Sequence, residues 1–183
     1  MRINRYASAC AIALVVLYCV GASAVNSNEI EHAGLLHHIQ TDVYQYTLSD
    51  SIPISYTVTN VTGETMDIYV SYIGCPIWIY VYNSLGVLVW SDPYMCADEA
   101  GVRTLAPAES FSLNPTWDLV NPAPWPPIDE PGVYTMKGRL KAVDPAVRYT
   151  IELQIQIVDP PSAVPEGPAD GPSTWSTIKA LYR

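Results

Sequence analysis

The chain predicts an all-β, antiparallel β-sandwich of about seven or eight strands, followed by a short C-terminal helical tail. Three observations predict it. Apolar and polar residues alternate over short stretches, clusters of Gly, Pro, Asn and Asp interrupt them at fairly regular spacing, and no stretch between Val43 and Val158 carries the period of a long helix.

Residues 1–24 read as a secretory signal: Arg2 and Arg5 supply charge, an apolar run spans Ala7 to Val20, and Ala22-Ser23-Ala24 is a small-residue cleavage motif. The run is shorter than the roughly 20 apolar residues a membrane span needs, so no span is expected after cleavage before Val25. The expected location is secreted or periplasmic. Cys10 and Cys19 leave with the signal, and Tyr18 is too large for a lipoprotein anchor at Cys19. Cys75 and Cys96 remain, an even pair in an exported chain, and are expected to form a disulfide. Without residues 1–24, seven basic residues stand against 18 acidic ones, a net charge of −11. The few cations are scattered along the chain, which excludes a nucleic-acid partner on this reading.

Residues 25–42 hold His32, His37 and His38 beside Glu29, Glu31 and Asp42, a spacing that matches no standard metal site. They read as a solvated lead-in that becomes the first strand. From Val43 the period becomes two: Ile52, Ile54, Tyr56 and Val58 share one strand face. Asn60-Val61-Thr62 is formally a glycosylation sequon, but with Gly63-Glu64 it reads as a turn. Met66, Ile68, Val70 and Tyr72 mark the next strand, which leads into Cys75.

The stretch Cys75 to Cys96 is the centre of the pattern. Ile77 to Tyr82 and Val87 to Trp90 flank Asn83-Ser84-Leu85-Gly86, a reversal whose Asn and Gly accept positive φ. This is a β-hairpin with the two cysteines just outside its strands. Its first strand is apolar or aromatic on both faces, so it is expected either to be buried on both sides or to be covered by a neighbouring loop, with residues 91–103 as the candidate cover. Thr104 to Ser110 reads as a turn, and Phe111, Leu113 and Trp117 as strand. Residues 121–131 hold five prolines around Trp125, which serves either as a plug on the sandwich or as an exposed anchor; the usual burial of tryptophan favours the plug. Gly132-Val133-Tyr134 matches the tyrosine corner of immunoglobulin-like sandwiches, in which the phenol bonds back to nearby backbone. Ile151, Leu153, Ile155 and Ile157 form the closing strand. Residues 159–172 are a Pro/Gly-rich linker, and Ser173 caps a short amphipathic tail, 173–183, with Trp175, Ile178 and Tyr182 on one face.

Several of these pieces occur together in one known family. The tyrosine-rich strand with its Ser-Leu-Gly turn and Val89-Trp90, then Leu105-Ala106-Pro107, Glu109-Ser110, Thr116-Trp117-Asp118, and Pro131-Gly132-Val133-Tyr134 with Gly138, resemble the BsuPI-type intracellular proteinase inhibitor domain. The resemblance covers most of residues 43–158, with Ala108 where the family pattern has glycine. It implies an immunoglobulin-like sandwich and, as an alternative function, inhibition of serine proteinases. The tail around Trp175 resembles a short C-terminal segment that recurs on secreted bacterial proteins. The functional expectation is an exported, non-enzymatic binding or structural module with a protein partner and no cofactor or metal, because the histidines lie apart from any nucleophile. Candidate partner contacts are Tyr94, Met95 and Trp125, which sit on tethered or proline-stiffened loops.

Overall fold

Twelve strands, most of them with alternating inward and outward side chains, form among the residues that the computed structural model describes: 25–93, 96, 99–119, 128 and 130–160. In order they are β1 (Asn26–His32), β2 (Leu35–Thr41), β3 (Gln45–Thr47), β4 (Ile52–Asn60), β5 (Met66–Val70), β6 (Ile77–Tyr82), β7 (Leu88–Asp92), β8 (Gly101–Leu105), β9 (Ser110–Leu113), β10 (Thr116–Trp117), β11 (Gly132–Leu140) and β12 (Thr150–Val158).

The strands form an immunoglobulin-like β-sandwich. One sheet runs β1-β2-β4, with β9 and β10 pairing successive parts of β4; the other runs β3-β12-β11-β6-β7. All pairings are antiparallel except that of β3 with β12. A two-stranded ribbon, β5-β8, joins the second sheet through a bridge between Val70 and Ala142. Leu35, Ile39, Ile54 and Val58 of the first sheet meet Ile79, Met136 and Ile155 of the second, all at most 2 % exposed. Burial of such side chains is the main stabilising term.

Three aromatic residues fix how the layers meet. The Tyr56 ring lies where a Cβ on Gly138 would be, 2.9 Å from its nearest ring atoms, so glycine in β11 lets the two sheets approach. Trp117 packs between Trp90 and Tyr134, with ring centroids 6.2 and 5.8 Å away. Tyr134 donates its hydroxyl to the Glu130 carbonyl at 2.8 Å, the tyrosine corner expected from Gly132-Val133-Tyr134.

The structure corrects four expectations. Residues 26–41 are not a solvated lead-in: β2 lies in the first sheet against β4, and β1 covers the open edge of β12. Asn26 and Asn28 donate to the Gln154 and Glu152 carbonyls, each at 2.8 Å. Those carbonyls belong to the stretch of β12 beyond the reach of β3, and a bare edge there would invite pairing with another chain. Strand count exceeds seven or eight because β1, β2, β3 and β8 are short or patterned too weakly to announce themselves, and the strand expected through Phe111, Leu113 and Trp117 divides into β9 and β10. The expected loop over 91–103 ends in β8, which pairs with β5. Finally, the first strand of the hairpin is not buried on both faces; its outer side is half-exposed.

The central hairpin and its bridge stand as expected. β6 and β7 pair around a turn with Gly86 at φ 75°, and Cys75 is disulfide-bonded to Cys96. The bond fits an oxidising compartment. Asn60 is fully buried: its amide donates to the carbonyls of Glu64, Leu105 and Ala106, and its carbonyl oxygen accepts from the Thr62 backbone and hydroxyl. It is the last residue of β4, its side chain holds the turn that follows, and it leaves no side-chain surface for a glycan.

Candidate binding face

Strand alternation decides which side chains reach the outside of the second sheet. In β6, Ile77, Ile79 and Val81 point inward, so Trp78, Tyr80 and Tyr82 lie half-buried on the outer side. In β11 the inward set is Tyr134, Met136, Gly138 and Leu140, which turns Thr135, Lys137 and Arg139 outward. In β12, Thr150, Glu152 and Gln154 face the same way. The register then aligns three cross-strand rows: Tyr82 with Thr135 and Gln154, Tyr80 with Lys137 and Glu152, and Trp78 with Arg139 and Thr150.

Lys141, just past β11, completes the face. Its Nζ sits 4.5 Å from the centroid of Trp78 and 5.2 Å from that of Tyr80. Tyr72 extends the aromatic side, 6.0 Å from Trp78, while Trp78 and Tyr80 stack at 5.9 Å. Lys137 lies 5.4 Å over Tyr82 and pairs with Glu152 at 2.5 Å. The Trp78 indole is anchored by its N–H, which donates to the Cys75 carbonyl at 3.1 Å. The disulfide-bonded residue therefore sets the position of the largest ring on the face.

The charges on this face are unevenly satisfied. Five cations lie among the described residues, and two have other work: Arg148 donates to the Ala142 and Val143 carbonyls, and Arg103 covers the Phe111 ring. Lys137 has Glu152. Arg139 and Lys141 have no carboxylate partner among the described residues, and the Arg139 Nε is shielded without an acceptor. Burial lowers the Lys141 pKa, and the Arg139 charge lowers it further. In a chain with twice as many acids as bases, two neighbouring cations thus go without carboxylates. At the turn end of the same face, Tyr82, Asn83, Ser84, Thr135, Lys137 and Gln154 line a shallow groove of about 540 Å³.

None of these residues was singled out from sequence as a contact. Of the residues that were, Cys75 and Cys96 are joined, whereas Tyr94, Met95, Trp125, Trp175, Ile178, Tyr182 and the signal at 1–24 lie outside the described residues. Three of the five described cations gather in space, Lys137, Arg139 and Lys141. Their signal was the alternation of Lys137, Arg139 and Lys141 along one strand direction, which puts all three on one side.

Two of the three histidines serve packing. His37 is fully buried and hydrogen-bonded through Nδ1 to the Tyr56 hydroxyl at 2.8 Å, with burial lowering its pKa from 6.5 to about 4. His32 lies against Tyr149 and donates from Nε2 to the Ala146 carbonyl at 2.9 Å. Among the described residues no group of three or more His, Cys, Asp or Glu is placed to hold a metal ion.

No protein-family model matches the chain, and no curated protein does. Among solved structures, the CARDB domain of PF1109 from Pyrococcus furiosus is 14 % identical with a TM-score of 0.38, over 67 % of this chain and 90 % of that domain. The β-glucosidase EmGH1 of Erythrobacter marinus is 15 % identical with a TM-score of 0.38, over 73 % of this chain and 16 % of the enzyme. The alkylpurine DNA glycosylase AlkC of Pseudomonas fluorescens is 12 % identical with a TM-score of 0.40, over 68 % of this chain and 30 % of that one. The chain therefore spans about a sixth of the glucosidase and under a third of the glycosylase. Likeness at this level carries no functional argument.

Proposed function

We propose that the protein is an exported, non-enzymatic binding module that engages its partner through the outer face of β6, β11 and β12. The observation that carries this reading is the row of Tyr72, Trp78 and Tyr80 under Lys141, beside Arg139, with neither cation matched by a carboxylate among the described residues. Aromatic and arginine side chains at the centre of a face are what binding surfaces enrich. Export is supported by the signal pattern at 1–24 and by the Cys75 to Cys96 bond. Recognition rather than reaction is supported by the use of His32 and His37 in packing.

The test is a comparison of the oxidised protein with its Trp78→Ala and Lys141→Gln variants across immobilised polysaccharides, acidic and basic peptides, and serine proteinases. Binding that both substitutions weaken, with unchanged melting temperature, is the expected result. Binding only to a proteinase, unaffected by either substitution, would instead favour the inhibitor function that the BsuPI resemblance implies.

A further inference from the structure

We infer that the partner recognised by this face is an acidic polysaccharide: an extended, hydroxyl-rich chain carrying carboxylate or sulfate groups. The inference rests on the binding-module reading and names the ligand class. Charge comes first. Arg139 and Lys141 occupy the same side of one extended segment, two residues and so about 7 Å apart, and the Arg139 charge adds to burial in raising the cost of charging Lys141. A ligand anion between them supplies the counter-charge that the chain withholds. Since Glu152 already neutralises Lys137, the anion-accepting end of the face is the Trp78 row, where Lys141 rides over the indole.

The chemistry beside the cations selects a sugar over a peptide. A peptide segment gains affinity by seating apolar anchors in pockets or by pairing with a free strand edge. The face offers neither: its groove is lined mainly by polar side chains, β11 at its centre is paired on both sides by β6 and β12, and the edge of β12 beside Glu152 and Gln154 is taken up by Asn28 and Asn26. What it presents are indole and phenol rings, hydroxyls and amides: Trp78 and Tyr80, Tyr82, Thr135 and Gln154, with Asn83 and Ser84 at the groove. The rings hold the Lys137 and Lys141 ammonium groups beside them, their remaining exposed parts offer apolar surface to the C–H groups of pyranoses, and the hydroxyl and amide groups match sugar hydroxyls. An anionic sugar chain satisfies both halves of this surface, with carboxylate or sulfate at Arg139 and Lys141 and pyranose rings against the aromatic side.

Titration calorimetry on the oxidised protein, at low and high salt, tests this with five probes: oligogalacturonate, a heparin-derived oligosaccharide, a neutral galactan oligosaccharide, poly-aspartate and single-stranded DNA. The expected result is saturable binding of an acidic glycan, weakened by salt. Arg139→Gln, Lys141→Gln and Trp78→Ala should each reduce the affinity about tenfold or more, without loss of the thermal transition. The galacturonate and heparin arms distinguish carboxylate from sulfate. Equal affinity for neutral and acidic glycans would overturn the charge argument. Preference for poly-aspartate or DNA, sensitive to the same substitutions, would overturn the ligand class while leaving the binding module standing. Failure of every probe overturns the inference; if the broader comparison of peptides and proteinases also shows nothing sensitive to Trp78→Ala, the binding-module reading falls with it.

Discussion

Ala108 holds a φ of 62°, in the left-handed region where a Cβ is costly and glycine is not. It follows Pro107 in the turn between β8 and β9, where glycine would hold the same backbone without strain. Ala108→Gly is expected to raise stability by up to about 1 kcal/mol, the relieved strain exceeding the added entropy of the unfolded chain; denaturant titration checks it. Asn60 illustrates the opposite situation. As a sequence it is equally sequon or turn, and only its five hydrogen-bond contacts with 62, 64, 105 and 106 separate the two. Asn60→Ala leaves buried groups unpaired and should cost roughly 2–4 kcal/mol in the same experiment. Tyr134 was legible beforehand because its partner, Glu130, is four residues away in the chain.

Elements follow the same logic of locality. The β6-β7 hairpin could be read directly, since both strands, the turn and the cysteines lie in one continuous stretch. The β5-β8 ribbon could not, because Met66 meets Leu105 across a long interval and only Ile68, Val70 and Leu105 of its strands are fully inside. β1 hid for a different reason: its residues are almost all exposed, so no alternation marks it as strand. What holds it is the polar bonding of Asn26 and Asn28 to β12, together with its pairing to β2. Replacing both asparagines by alanine should cost only about 1–2 kcal/mol, yet uncover two carbonyls of a sheet edge. The expected outcome is faster amide exchange along β1 and more self-association on light scattering, with the core strands unchanged.

At the scale of the whole molecule, the sandwich and its disulfide were visible in periodicity and cysteine count, whereas the candidate binding face required the register. Lys137, Arg139 and Lys141 look dispersed until β6 is laid beside β11, which brings Trp78 and Tyr80 to them. The fold also imposes a pH dependence. His37 in β2 is surrounded by Tyr56, Tyr149 and His32, and its pKa falls from 6.5 to about 4 through burial first and His32 second. Because the folded value is depressed, the unfolded chain takes up the proton first. Stability from this site is complete above pH 6.5 and declines by roughly 1.4 kcal/mol per unit as pH falls towards 4. Melting curves of the protein and of His37→Leu between pH 7 and pH 4.5 should converge as pH falls, since the variant lacks this loss.

The central claim concerns where the molecule meets its partner, and chemical-shift mapping during titration with oligogalacturonate addresses it most directly. The predicted result is a continuous set of perturbed signals: the Trp78 indole N–H, Tyr80, Arg139 and Lys141 side chains, and the backbone amides of β6 and β11 beneath them. Saturable shifts centred on the opposite sheet, or on residues 92–102 and 121–131 with the Trp78 indole unmoved, would contradict the account.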